Sequence, residues 1–288
     1  MAASAKIRVT PQVIGRLRLA SQGLLDGFGS VAECVSRMGA MQAQDLPSAL
    51  WAVGQRVPGS GLSDVRAAID AGTVVRSWPL RGTLHLLAPE DLRWILAITS
   101  PRMLKMVAPR HRELGITTED TADCRRIASK LTSGGQGATR EELFAAFEDG
   151  GQITKAQRGV HLIWSLCQHA WFVQGPMAGT GGKPAGQQLF MPFEEWITRS
   201  RDLGREEGIA ELFLRYCRSH GPATERDFSW WSQIPLADVR KAVAAVRGQL
   251  VELVFRDTSY WLSPETAAML DDGHLVAGRN GQGRRRRA

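Results

Sequence analysis

No stretch of this sequence approaches the roughly 18 consecutive apolar residues that a membrane span needs. The opening residues, MAASAKIRVTPQ, carry no apolar run after their lysine, so a secretory signal is not expected. A cytoplasmic, nucleoid-associated protein with no membrane partner is. Paired cysteines are missing as well. Cys34, Cys124, Cys167 and Cys217 are scattered, with no CxxC and no histidine at a zinc-ligand spacing. That excludes a disulfide framework and points to structural thiols in a reducing compartment. The six histidines form no HExxH. His161 and His169 would share a helix face two turns apart, but two lone imidazoles make a poor metal site. Neither a metal nor an organic cofactor is expected.

A phosphate cradle is also absent, although Gly179-Thr180-Gly181-Gly182-Lys183-Pro184 resembles one at first sight. Met177 stands where a P-loop requires its first glycine, Pro184 replaces the magnesium-binding hydroxyl residue, and no helix follows. The segment reads instead as a flexible wing, with Lys183 placed to reach into a DNA groove.

What is present is an ordinary globular composition, 43% hydrophobic and 23% charged over 288 residues, enough for two or three compact units. The net charge is +7, but the terminal run Arg284 to Arg287 carries four of those charges. The mild excess left over fits a basic face against phosphates, and equally fits proteins that never meet DNA.

Three segments repeat one grammar, two or three helices followed by a strand, a turn and a second strand. Pro11 opens a helix with Val13, Ile14, Leu17 and Leu24 on one face, and Gly27 stops it. A second helix is expected over 30–39, a third from a Ser48 cap and a fourth from a Ser63 cap, followed by strands over 73–77 and 83–87 around Pro79 and Gly82. The next segment starts near Thr117, with a capping box at Thr139-Arg140-Glu141-Glu142, a longer helix over 157–169, and strands over 171–174 and 188–190. The last has helices over 206–219, 224–231 and 236–247 and strands over 250–255 and 259–262. The fold class expected is mainly α with small β-wings (α+β), as three tandem winged helix-turn-helix units at 1–95, 96–195 and 196–266. An Arg-rich tail over 267–288 is expected to be disordered. Such units dock on DNA with one helix in a groove and the wing on the backbone, and they also serve as protein adaptors.

The stretch Met41-Gln42-Ala43-Gln44-Asp45-Leu46-Pro47 carries the chemistry. Residues two apart lie on opposite sides of a helix but on one face of an extended chain. Pro47 disfavours helical geometry at Leu46. An extended link is therefore expected to aim Gln42 and Gln44 the same way, with Ala43 in the core. Two converging carboxamides can hold a water, though neither is a strong base. That suits a leaving group already activated, such as a purine made cationic by alkylation at N7 or N3, whose departure needs positioning rather than a general acid. Asp45 reads either as a general base or as a solvated helix-terminal residue. His85 reads either as a contact to phosphate or a displaced base, or as a packed strand histidine. Arg76 and Arg81 flank the first wing as candidate phosphate contacts, against a reading as ordinary surface arginines.

The stretches MQAQDLPSALWAVGQR, VVRSWPLRGTLHLLAPEDLRWI and RDFSWWSQIPLADVRKAV resemble the winged-helix DNA glycosylases of the AlkZ and YcaQ type, over about residues 10 to 265. The resemblance implies a monofunctional, monomeric glycosylase acting on duplex DNA that carries alkylated or crosslinked purines. It also implies that Gln42 and Gln44 orient the hydrolytic water. Some relatives carry an acid at the second position, where this chain has Gln44. Members of that family continue into a C-terminal β-barrel, where this chain shows only its Arg-rich tail. A regulator that binds DNA without cutting it is the alternative.

Overall fold

A computed structural model describes residues 7–179 and 187–270. Lys183, and the expected wing tip around it, lie outside the described residues, as does the tail from residue 271 on. In chain order the elements are β1 (Ile7–Arg8), α1 (Pro11–Ser21), α2 (Val31–Met38), β2 (Met41–Gln42), α3 (Leu46–Gly54), α4 (Leu62–Asp70), β3 (Val75–Leu80), β4 (Thr83–Leu87) and α5 (Pro89–Glu113). Then come α6 (Thr118–Leu131), α7 (Arg140–Asp149), α8 (Arg158–Gln168), β5 (Phe172–Met177), β6 (Gln188–Pro192), α9 (Phe193–Trp196) and α10 (Arg205–His220). Last are α11 (Glu225–Ser232), α12 (Leu236–Val246), β7 (Val251–Phe255), β8 (Thr258–Leu262) and α13 (Pro264–Ala268). The fold is thus mixed α and β, mainly helical, with small sheets.

Side-chain caps set several helix starts. Thr139 accepts from the Glu142 amide while Glu142 accepts from the Thr139 amide, the expected capping box, and Thr224 with Asp227 repeats it at α11. Two expected caps sit elsewhere. Asp45, not Ser48, caps α3, accepting from the Ser48 amide at 3.0 Å, so Pro47 falls in the first turn, where its missing N–H costs nothing. Gly61, not Ser63, precedes α4. Helix α1 ends at Ser21, short of Leu24, which is left exposed.

All three hairpins read from the sequence are present, but the first two are not separate. Strands β2-β4-β3-β5-β6 form one five-stranded sheet, in which Arg76 of β3 pairs with Gln174 of β5. The third hairpin forms a smaller sheet with β1. The largest core cluster runs across these parts: Val75 and Leu87 of the first hairpin and Trp94 of α5 belong to it together with Phe213 of α10 and Phe228 and Trp231 of α11. All four cysteines are free and buried, and burial pushes the Cys34 thiol up to about 11 and Cys124 to about 12.

Helix α5 fills a stretch in which the sequence showed no element. It runs for 25 residues straight through Pro101 and Pro109. Its entry is fixed by Asp91, fully buried, which accepts from Trp94 Nε1 at 3.0 Å and is paired with Arg215 of α10, with Arg201 at 3.6 Å. Glu211 ties both arginines together. Burial pushes its pKa up, but hydrogen bonds from Arg201 and Arg215 outweigh that and hold it below the usual carboxylate range. Among the described residues no helix is long and apolar enough to cross a membrane.

Candidate active site

Gln42 ends a short strand, Ala43 continues its pairing, and Gln44 lies in the bend that leads into α3. Strand β2 lies on the edge of the five-stranded sheet, antiparallel to β4, with Gln42 opposite His85, and the Ala43 amide donates to Leu84 O at 2.7 Å. Met41 and Ala43 are buried, whereas Gln42 and Gln44 are exposed. The alternation follows from the two-residue pleat.

Arg76 braces this segment from behind. Its Nε and Nη2 donate to Ala43 O at 2.9 and 2.7 Å, and Nη2 also to Gln44 O at 3.1 Å. Its Nη1 donates to Gln174 Oε1 at 3.0 Å and to Gln188 Oε1 at 2.8 Å. Only 9% of Arg76 is exposed. Burial lowers its pKa to about 10 against the pull of the Asp45 carboxylate. Every guanidinium nitrogen is used on a neutral acceptor, so the expectation of a phosphate contact is corrected. Arg76 holds the backbone that carries the two glutamines.

Arg81 is also turned inward. It sits at the tip of the β3–β4 hairpin with φ 55°, followed by Gly82 at φ 67°, the left-handed pair of a tight hairpin turn. Its Nη1 donates to Trp231 O at the end of α11. Its Nη2 lies 3.4 Å from Gln42 Oε1 and 3.5 Å from His85 Nε2. Burial lowers its pKa. Arg81 thereby bridges Gln42, His85 and the end of α11 while staying partly exposed.

His85 is fully buried, so the reading as a packed strand histidine stands and the DNA contact does not. Nδ1 lies 2.8 Å from Thr83 O and is assigned the proton, because a carbonyl can only accept. Nε2 then offers its lone pair toward Arg81. Burial pushes the pKa down to about 4, with the Thr83 carbonyl opposing and Arg81 adding to the effect, so the ring is neutral at pH 7.

Gln44 Oε1 accepts from the Leu84 amide at 3.1 Å, which fixes the carboxamide while leaving a second lone pair and two N–H donors. Asp45 is fully exposed. Its hydrogen bond at Ser48 holds its pKa below the usual carboxylate value, which suits the helix-terminal role over that of a base.

Beside Gln44 lies a pocket of about 420 Å³, walled by Trp78, Trp164, Met103, Met106 and His161, with Arg81 and Gly82 at its edge. The register of β3 against β4 slips by one residue between Ser77 and Leu80, a bulge that places Trp78 at this wall. The Arg81–Gly82 turn therefore borders both glutamines, Gln42 by its hydrogen bond and Gln44 across the pocket.

Helix α5 supplies a basic surface that the sequence pattern did not reveal. Arg102, Lys105 and Arg112 are spaced three and seven residues apart, fall on one helix face and are exposed. Among the described residues none of the three has an ion-pair partner. Met103 and Met106 of the same helix line the Gln44 pocket. The signal was present as cations at helical spacing, but Pro101 and Pro109 hid the helix. Among the described residues no group of three or more His, Cys, Asp or Glu is placed to hold a metal ion.

Comparison with known proteins gives two findings. A family model described as DNA glycosylase AlkZ-like matches residues 35–279. Among solved structures, the Streptomyces sahachiroi DNA glycosylase AlkZ is similar, with a TM-score of 0.74 at 20% sequence identity, covering 92% of this chain and 72% of that one. At this identity the likeness speaks for the fold. No curated protein sequence matches.

Proposed function

The chain belongs to the AlkZ-like DNA glycosylase family, and from that premise we propose that it hydrolyses the N-glycosidic bond of purines made cationic by alkylation at N7 or N3, crosslinked ones included. In the reaction the C1′–N bond breaks, its electron pair neutralises the departing base, and a water oxygen bonds to C1′. The proton shed by that water passes to bulk solvent through the open site. The product is an abasic site, and no lyase step on the DNA backbone follows.

Gln42 and Gln44 hold the water, each with a free lone pair and N–H donors. The observation that carries this reading is the pair of exposed carboxamides, Gln42 on the edge strand and Gln44 in the bend that follows it, on a backbone held between them by the buried Arg76. Preorganised dipoles of this kind need no reorientation as charge develops at the sugar. The pocket beside Gln44 is open to one side, which suits a bulky or crosslinked nucleotide that cannot rotate into a closed site. The stripe Arg102, Lys105 and Arg112 contacts backbone phosphates. We read the helices and hairpins as three winged helix-turn-helix units over 1–95, 96–195 and 196–266, acting as a monomer beside the chromosome in the cytoplasm.

The test is duplex DNA containing N7-methylguanine, incubated with excess protein and then treated with alkali to cut abasic sites. Strand breakage is expected, together with its loss in Gln42→Ala/Gln44→Ala at nearly unchanged duplex affinity. Binding without breakage would make the protein a regulator on the same scaffold.

A further inference from the structure

Next to the Gln42–Arg81 contact the surface carries an exposed aromatic ring. Trp230 is 73% exposed, the highest value among the large hydrophobic residues described. Water contact on so large an indole is unfavourable, and here the ring is presented rather than tucked away. Its helix end is firmly built. Gln233 closes α11 in a left-handed conformation and donates from Nε2 to Trp230 O at 3.1 Å, while the neighbouring Trp231 is buried in the core. The Arg81 guanidinium lies 6.0 Å from the Trp230 ring centroid. A groove of about 550 Å³ is lined by Arg102, Arg226, Ser229 and Gln233 along with the indole. No acidic side chain lines it, and among the described residues neither arginine has an ion-pair partner.

We infer that Trp230, Arg102 and Arg226 form a subsite for one unstacked nucleotide, its base lying on the indole and its phosphate between the two arginines. This rests on the reading of the chain as acting on DNA. Every base has a face that stacks on an aromatic ring, and a cationic rim answers the phosphate, whereas an apolar partner would leave both guanidinium groups without compensation. The place of the subsite gives it a purpose. Arg81 lies within cation–π range of the indole and 3.4 Å from Gln42 Oε1, so a nucleotide held there borders the reacting one. Opening the duplex beside the lesion exposes a base that must stack on something, and Trp230 offers that face.

The test uses the full chain and duplexes in which the N7-methylguanosine sugar carries a 2′-fluoro group in the arabino configuration, which blocks excision. 2-Aminopurine is placed in turn opposite the lesion and on either side of it. With wild-type protein one of these positions is expected to give a bound emission that changes in Trp230→Ala and returns in Trp230→Phe. Affinity for the lesion duplex is expected to fall about tenfold in Trp230→Ala, and Arg102→Gln/Arg226→Gln is expected to lower the salt dependence. Trp51→Ala removes another exposed indole, one outside the site, and serves as control. Identical emission at all three positions in wild type and Trp230→Ala, with unchanged affinity, overturns the subsite; an indole reserved for a protein contact gives that result. A Trp230-dependent signal from a protein that never excises N7-methylguanine keeps the subsite and removes the glycosylase reading. No duplex binding by the wild type removes both.

Discussion

Arg76 donates to the carbonyl oxygen of Ala43 from both Nε and Nη2, at 2.9 and 2.7 Å, although the two residues lie 33 positions apart in the chain. This bond holds the residue between the two glutamines while its side chain is buried beneath them. A cation among neutral acceptors, with Asp45 the acid that acts on it among the described residues, is costly to desolvate, and its hydrogen bonds compensate.

Arg76→Met is therefore expected to destabilise the fold by something on the order of 3 kcal/mol, because two carbonyls and two amide oxygens lose their donor together. Excision is expected to drop with it, while the slope of log affinity against log salt stays as in wild type. Urea unfolding and a salt titration read the two separately. A slope smaller by about one unit would restore Arg76 to the phosphate.

Gln42→Ala and Gln44→Ala are each expected to slow single-turnover excision by about 100-fold, the size seen when one preorganised polar group is removed. The two differ in stability. Gln44→Ala strips the Leu84 amide of its acceptor and costs roughly 1 kcal/mol, whereas Gln42→Ala leaves only a weak 3.4 Å interaction unmade. Equal destabilisation of the two variants would show that Gln44 is not tied to β4.

Replacing Arg102, Lys105 and Arg112 with glutamine is expected to weaken duplex binding for every sequence alike. The salt slope is expected to shrink by about 0.9 for each phosphate that is no longer neutralised. All three side chains are exposed, so thermal unfolding should not move. Unaltered binding would place the duplex on another face.

Acid should unfold the protein early. His85 is fully buried and His220 half-buried, and desolvation lowers each pKa to about 4 from an ordinary 6.5. Between those values the unfolded chain takes up protons that the folded chain refuses. Stability is thus full above pH 6.5 and falls as pH drops toward 4, by roughly 3 kcal/mol per histidine at the end of that window. His111, His161 and His169 are shifted in the same direction. Urea midpoints at pH 7 and pH 4.5 measure the loss. A His85→Gln/His220→Phe protein whose midpoint falls just as steeply would refute the assignment.

Much of the local structure was legible because it rests on short-range rules. The capping box at Thr139 and Glu142 is satisfied within four residues, and the hairpins flanking Gly82 and Asp257 answer to alternation and turn chemistry. The exposure of Gln42 and Gln44 on either side of the buried Ala43 was legible from a two-residue alternation. Helix α5 was hidden because its two prolines look like breakers, and only Asp91 buried against Arg215 and Arg201 shows what anchors its start.

The three arginine and histidine assignments at the first wing divide along the same line. Sequence could place Arg76, Arg81 and His85 on a hairpin beside the glutamines, since register is a local property. It had no means to see that β5 and β6 join that hairpin in one sheet, or that the end of α11 arrives at Trp231 to receive Arg81. Whether a cation meets solvent or a buried carbonyl depends on partners about 100 residues away, such as Gln174 and Gln188 for Arg76. Backbone geometry is set by neighbours in the chain. Burial is set by neighbours in space, and burial made Arg76 and His85 part of the framework of the site.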